Sequence, residues 1–399
     1  MRKLFLIGTG LLVLACSEYR VDSMEEDVLC KDNEGLSMEE CVKLQAIEFY
    51  QSLTLKTRGC ADNVEIADVY PWKREDYYST ITRTKFSIEE LPETLMYVVN
   101  FKNNKGFVLV SADTSNQVVY AYVEHGAFHV YDDIEGTGFD FYLGALLYNL
   151  SLSTRTSHSP RPPFYPGGTW TIDTIIPVFL PVNWGQEAPY NWRCPIDTVT
   201  NGRCKAGCVA VAIGQLLTKH RYPSSYKGHT YDWTIITDDT IPQYTEAQLA
   251  VAQLLADIGT SLNMKYRSTV STCTHLDVKL CLDSLGYNHS ILDTISFDIC
   301  MTEFYYGRPL YIKGQRVVGN DTVGHAWVAD GGLVRSMYVY MESPNGIMEL
   351  IRANVQHLLH CNWGNNGDYN GYFVVDALKP DEEEAYFNVG MIHHIYPSE

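Results

Sequence analysis

After Ser37 apolar residues recur at helical spacing, at Val42, Leu44, Ile47 and Phe49, and Glu40 follows Ser37 by three positions. This predicts an amphipathic helix opened by a capping box and ending near Leu53. The period then shortens. Residues 95–101, 106–111 and 118–123 are β-branched and aromatic runs separated by Asn- and Gly-rich or Asp- and Ser-rich turns, which predicts an antiparallel meander. Residues 38–150 thus read as an α+β unit of their own. From 151 to 169 serines and prolines compete for or remove backbone donors, so no regular element is expected and a cleavable linker is placed at 151–175. Beyond it, Val209, Val211, Ala212, Ile213, Leu216 and Leu217 cover most of a helix over 206–220, stopped by Tyr222-Pro223. A second helix is expected over about 246–262. Strand-like runs follow at 309–312, 325–329 and 371–375, so residues 176–399 predict helices first and an antiparallel sheet after them.

The N-terminal pattern is an address rather than a fold. Arg2 and Lys3 precede an apolar run over 4–15, too short to cross a bilayer core of roughly 30 Å. The run ends Val13-Leu14-Ala15-Cys16, a small residue before cysteine as in a bacterial lipobox, where Cys16 would be acylated as the mature N-terminus. A conventional signal peptide cleaved nearby is the simpler alternative. Residues 17–37 are polar and acidic, a tether between anchor and body. No later run has the length and apolarity of a second span, so the remainder is expected outside the cytoplasm, touching membrane through the N-terminal lipid only. Ser17 rather than an aspartate follows Cys16, which points to the outer membrane or cell surface.

With 46% hydrophobic and 20% charged residues the chain is a packed protein, and a net charge of −18 argues against a partner that presents phosphates. No nucleic acid is expected. Eleven cysteines are present; setting aside Cys16 and Cys208 leaves an odd number, so at least one further thiol has no intramolecular mate.

Cys208 stands at the head of the apolar helix, where the macrodipole favours thiolate. It could equally be a small buried apolar residue, or join Cys204 and His220 on a metal, although no second paired motif follows. His325, after Gly324 at the head of an apolar run, suits a general base or an ordinary core histidine. Asn362 and Trp363, in a Gly- and Asn-rich turn, could orient and shield an imidazole or simply close a hairpin. Gln186, some twenty residues before the cysteine, has the side chain of an oxyanion donor.

In chain order Gln186, Cys208, His325 and Asn362-Trp363-Gly364 follow the sequence of papain-like peptidases. More closely, Trp184-Gly185-Gln186, Ala206-Gly207-Cys208-Val209-Ala210, Gly324-His325-Ala326 and Asn362-Trp363-Gly364 resemble the streptopain-like cysteine peptidases. Residues 97–101 and 105–113 are similar to the propeptide of that family. The resemblance implies a two-lobed papain-like α+β catalytic domain, helical lobe plus antiparallel sheet lobe, behind a small α+β propeptide. It implies a zymogen of an endopeptidase with relaxed specificity and an apolar preference at the second residue before the cut, and polypeptide substrates. The propeptide would act as intramolecular inhibitor, and no cofactor or metal would be needed. Cys208 would be the nucleophile and His325 the base; Gln186 would supply the oxyanion donor, and Asn362 and Trp363 the support of the imidazole. Asn365 stands where the family carries a further tryptophan, and residues 335–359 look inserted. The alternatives are an inactive surface binding or inhibitory module, and an amidase or transglutaminase that shares the dyad.

Overall fold

The computed structural model describes residues 37–76, 91–113, 118–155, 169–238, 246–292, 294–318, 321–342, 345–379 and 387–398. Helix α1 (Met38–Arg58) opens on the capping box of Ser37 and Glu40 and ends on Gly59, whose N–H reaches the Leu55 carbonyl. It runs past the expected stop at Leu53 because no breaker intervenes before Gly59. Its buried face, Val42, Ala46, Phe49, Tyr50 and Leu53, lies on Val99, Phe101, Val108 and Val110 of the meander β2 (Thr94–Phe101), β3 (Phe107–Ser111) and β4 (Val119–Val123). An additional strand, β1 (Ile66–Lys73), pairs with β2 at the sheet edge and carries Pro71, a position where a missing donor does least harm.

Helix α2 (Gly138–Arg155) has no counterpart in the sequence reading. The Thr137 hydroxyl caps the Asp140 N–H at 3.1 Å. Every residue from 138 to 148 is buried, apolar apart from Asp140, so this part of the helix has no polar solvent face to mark it. The linker boundaries need correction. Residues 151–155 continue α2, and residues 169–175 belong to β5 (Thr169–Ile176). The β-branched alternation of β5 finds a partner in residues 332–338, burying Trp170 and Ile172. Of the proposed linker, residues 156–168 lie outside the described residues.

The second half begins with α3 (Cys208–His220) and α4 (Glu246–Ser261). Two further helices, α5 (His275–Ser284) and α6 (Phe297–Tyr305), interrupt what reads as strand-like sequence, the first behind a Thr274/Asp277 capping box. The strands are β6 (Tyr287–Leu292), β7 (Leu310–Val318), β8 (Asp321–Glu342), β9 (Met348–Asn362), β10 (Gly371–Val374) and β11 (Phe387–Pro397). The segment that looks inserted is the extended hairpin of β8 and β9.

All these strands form one sheet in the order β1-β2-β3-β4-β10-β9-β8-β7-β11-β6, with β5 added on β8. The two halves meet at β4 and β10, where Val123 faces Gly371 and Tyr122 faces Tyr372. One core serves both: Phe107, Phe128 and Phe139 from the first half pack with Trp327, Trp363 and Phe373 from the second. A separate core holds α3 and α4 together. The junction also carries a buried polar cluster. His360 Nδ1 lies 2.6 Å from Asp330 and Nε2 3.6 Å from Glu124 of the first half, and these carboxylates push the His360 pKa up to about 10 against the effect of burial. Among the described residues no helix is long and apolar enough to cross a membrane.

Candidate active site

Cys208 is the first residue of α3 and Gly207 its cap, at φ 93°. A side chain at Gly207 would be strained by that angle and would also place a Cβ 2.9 Å from the Met264 methyl. Glycine is therefore what allows the chain to turn sharply into the helix and leave the thiol at its N-terminus, half-buried. The helix is held from below by Gln215, whose side-chain oxygen accepts the Trp184 N–H at 2.9 Å. That bond draws the Trp184-Gly185-Gln186 segment alongside. The Gln186 carbonyl in turn accepts the Ala206 N–H at 2.8 Å, two residues before the nucleophile.

His325 comes from β8 and is buried. Its Nε2 lies 2.9 Å from the Trp363 carbonyl, which leaves Nδ1 for the thiol, and the imidazole is hydrogen-bonded to Cys208. Burial by itself raises the Cys208 pKa. The hydrogen bond and charge of His325, with the N–H groups of Ala326 and Val209, outweigh it and bring the thiol below its ordinary value. Burial likewise depresses His325, but the Cys208 pairing, the Trp363 carbonyl and the charge of Asp140 raise it above its usual value. The two shifts agree: the site favours a thiolate–imidazolium pair.

Of the remaining sequence candidates, Trp363 lies beside the imidazole, with ring centroids 6.4 Å apart, and Asn362 is placed differently from expectation. Asn362 does not bond the imidazole, whose Nε2 faces the Trp363 carbonyl: its side-chain nitrogen donates to the Val182 carbonyl at 2.9 Å and its oxygen accepts the Gly364 N–H at 3.2 Å. It braces the turn, and the turn presents the Trp363 carbonyl to His325. The Trp363 ring packs on Trp327 and Phe373, each 5.0 Å away, and its Nε1–H donates to the Tyr369 carbonyl. Cys204 and His220 do not join Cys208 on a metal: the His220 ring reaches the Ile395 carbonyl at the far end of α3.

What sequence reasoning missed is the contact made by the first half. Gly138, the first residue of α2, is pressed against the site so closely that a Cβ there would lie 2.2 Å from the Trp363 ring and 2.9 Å from His325 Cδ2. Asp140 grips Arg316 of β7 through two bonds of 2.7 and 2.8 Å, both side chains buried. Phe139 stacks on Tyr369 at 4.8 Å, and Phe141 meets Trp327. One signal was available: a carboxylate inside the apolar run 138–148 demands a buried cation.

Removing one member of a buried ion pair costs about 3–5 kcal/mol because the other is left uncompensated. Asp140→Asn in the separated first half is therefore expected to weaken its binding to the second half at least about 100-fold, each 1.4 kcal/mol being tenfold. Pairing that change with Arg316→Met should recover part of the loss. Calorimetric titration of the separated second half with the first half measures both, and an unchanged dissociation constant for Asp140→Asn would show that the ion pair does not hold the halves together.

A thiol at a helix N-terminus, paired across a cleft with an imidazole on an antiparallel sheet, defines a papain-like cysteine peptidase. Residues 184–373 match the Peptidase C10 family, and residues 46–147 match the Spi protease inhibitor family. Streptopain of Streptococcus pyogenes is 25% identical over 338 residues, 73% of this chain and 76% of streptopain. The thiol protease/hemagglutinin PrtT of Porphyromonas gingivalis is 24% identical over 339 residues, of which this chain spans only 35% of the relative's length. A prointerpain A fragment of Prevotella intermedia shares the fold, with a TM-score of 0.58 at 21% identity, covering 84% of this chain and 100% of the fragment. Residues 184–373 are thus a streptopain-like C10 cysteine peptidase domain, and a Spi-type inhibitor domain precedes it.

Proposed function

We propose that this protein is an exported endopeptidase made as a zymogen, in which Cys208 and His325 carry out acyl transfer from a peptide to water. Cys208 attacks the scissile carbonyl as thiolate. His325 holds the proton, gives it to the leaving amine, and then takes one from the water that releases the acyl group. The Cys208 N–H and the Gln186 side chain stabilise the oxyanion, and the Trp363 carbonyl keeps the imidazole in the tautomer that faces the thiol. The observation that carries this reading is the hydrogen-bonded Cys208–His325 pair at the α3 N-terminus.

The test uses an epoxide probe and a protein substrate. The separated peptidase domain should be labelled at Cys208 and should yield new peptide termini, both lost in Cys208→Ser. Labelling without cleavage would favour an inactive binding module, and deamidated or cross-linked products without cleavage would favour an amidase or transglutaminase. An apolar residue two positions before the cut is expected to raise kcat/KM by about 10-fold or more over a charged one.

Export and anchoring rest on the first sixteen residues, which lie outside the described residues. Cys16 is proposed to bear the lipid, with the chain held at the outer membrane or cell surface, and no cofactor is invoked. Radiolabelled palmitate should be incorporated by the wild type and not by Cys16→Ala. Label retained in that variant would remove the assignment.

A further inference from the structure

At the edge of the sheet distant in sequence from the dyad, three side chains converge that the peptidase reaction does not use. Glu303 lies in the last turn of α6, and His393 and His394 are consecutive in β11. Consecutive residues of a regular strand point to opposite faces, so two adjacent histidines should not share a partner. Here they do. The pairing of β11 with β6 slips between His393 and Tyr396, and His394 takes φ 56°, a left-handed conformation uncommon for such a residue. The irregularity turns both rings together, with Nδ1 of His393 2.6 Å from Nδ1 of His394. Glu303 completes the group: one carboxylate oxygen is 3.3 Å from His394 Nδ1, and the other accepts the His394 main-chain N–H at 3.1 Å. One donor atom from each residue lies within 4.8 Å of the other two.

The donor chemistry is specific. Glu303 is almost fully buried, and Arg308 approaches it only to 3.6 Å while stacking on Tyr306 and Tyr396. One proton shared between the two Nδ1 atoms pairs them with each other but cannot also serve the carboxylate 3.3 Å from His394, whereas a cation is held by all three. The His394 ring is about half exposed, which gives an ion access and leaves room for water.

We infer that Glu303, His393 and His394 form a binding site for a divalent transition-metal ion. Two imidazole nitrogens and one carboxylate oxygen, completed by water, suit zinc, nickel, cobalt or copper and disfavour magnesium and calcium. The hydrogen bond from the His394 main chain orients the Glu303 carboxylate, as outer contacts do in metal sites. An ion there joins α6 to β11 beside Ile395, whose carbonyl receives the His220 ring at the end of the catalytic helix. The ion is thus a clamp behind the helical lobe and takes no part in peptide hydrolysis.

The experiment uses the full chain carrying Cys208→Ala, so that the nucleophile cannot itself take the metal. Calorimetry is expected to show one zinc ion per chain, and at zinc 100-fold above its Kd the Tm should rise by about 4 °C. His393→Ala and His394→Asn should each lower the affinity at least about 10-fold; asparagine tolerates the left-handed backbone at 394, so that variant folds. Cobalt should give ligand-field bands without the intense near-ultraviolet absorption of a thiolate ligand. Absence of zinc binding, binding unchanged in both variants, a thiolate band, or an equal Tm rise with magnesium would each overturn the site.

Discussion

His325→Ala in the separated peptidase domain is expected to lower kcat/KM by about 10³-fold or more, while the domain stays folded. General acid–base catalysis alone contributes about 10²–10⁴-fold, and here the same ring also sustains the thiolate. The Cys208 pKa lies below its ordinary value chiefly because His325 bonds to it and carries the opposing charge, against the contrary effect of burial. Without the ring, burial is left to act, and the thiol pKa rises to about 8.5 or above. At pH 6 less than about 1% of such a thiol is ionised, so iodoacetamide alkylation of Cys208 should slow at that pH and recover as pH rises towards 9. Equal alkylation at pH 6 in wild type and variant would transfer the role to another group. His360 and His229 are already engaged, His360 between Asp330 and Glu124, and His229 2.7 Å from Asp257. Asn362→Ala should cost far less than His325→Ala, because Asn362 braces the turn and the Trp363 carbonyl is what holds the ring.

Cutting the chain within 156–168 and diluting the product is expected to raise peptide turnover by about 10²–10³-fold over the uncut precursor. The first half presses Gly138 onto His325 and Trp363, buries Asp140 against Arg316 and extends the sheet through β4 and β10. A covalent linker keeps that half at an effective concentration near millimolar. Scission removes this advantage but leaves the shared core of Phe139, Trp327, Trp363 and Phe373 in place. Freshly cut protein should therefore remain inhibited at high concentration and become active on dilution, and the isolated first half added back should restore inhibition in a dose-dependent manner. A small peptide hydrolysed equally fast by uncut precursor and by diluted cut enzyme would end the zymogen reading.

Elements with local punctuation were legible in the chain itself. Helix α1 carries its capping box and its terminal glycine, the β2–β4 meander its turn residues, and α3 its apolar run and the Tyr222-Pro223 stop. Cys208 was legible as a candidate because it starts such an element, where a helix dipole gives a polar side chain work to do, and His325 because it opens the apolar run 325–329, although the strand itself begins at Asp321. Helix α2 was not, since burial on every side erases amphipathic contrast, and β5 was not, since its stability comes from the distant residues 332–338.

The sequence by itself thus determined the punctuated elements and the residue types able to carry the chemistry. Only the tertiary structure decided which groups meet. The partner of the imidazole is a main-chain carbonyl, a group every residue possesses and no side-chain pattern can mark. Gly138 and Asp140 reach His325 and Arg316 across nearly two hundred positions because the two halves share one sheet and one core. Local propensity acts over a few residues, whereas these contacts depend on burial of surfaces that come together only when both halves have folded.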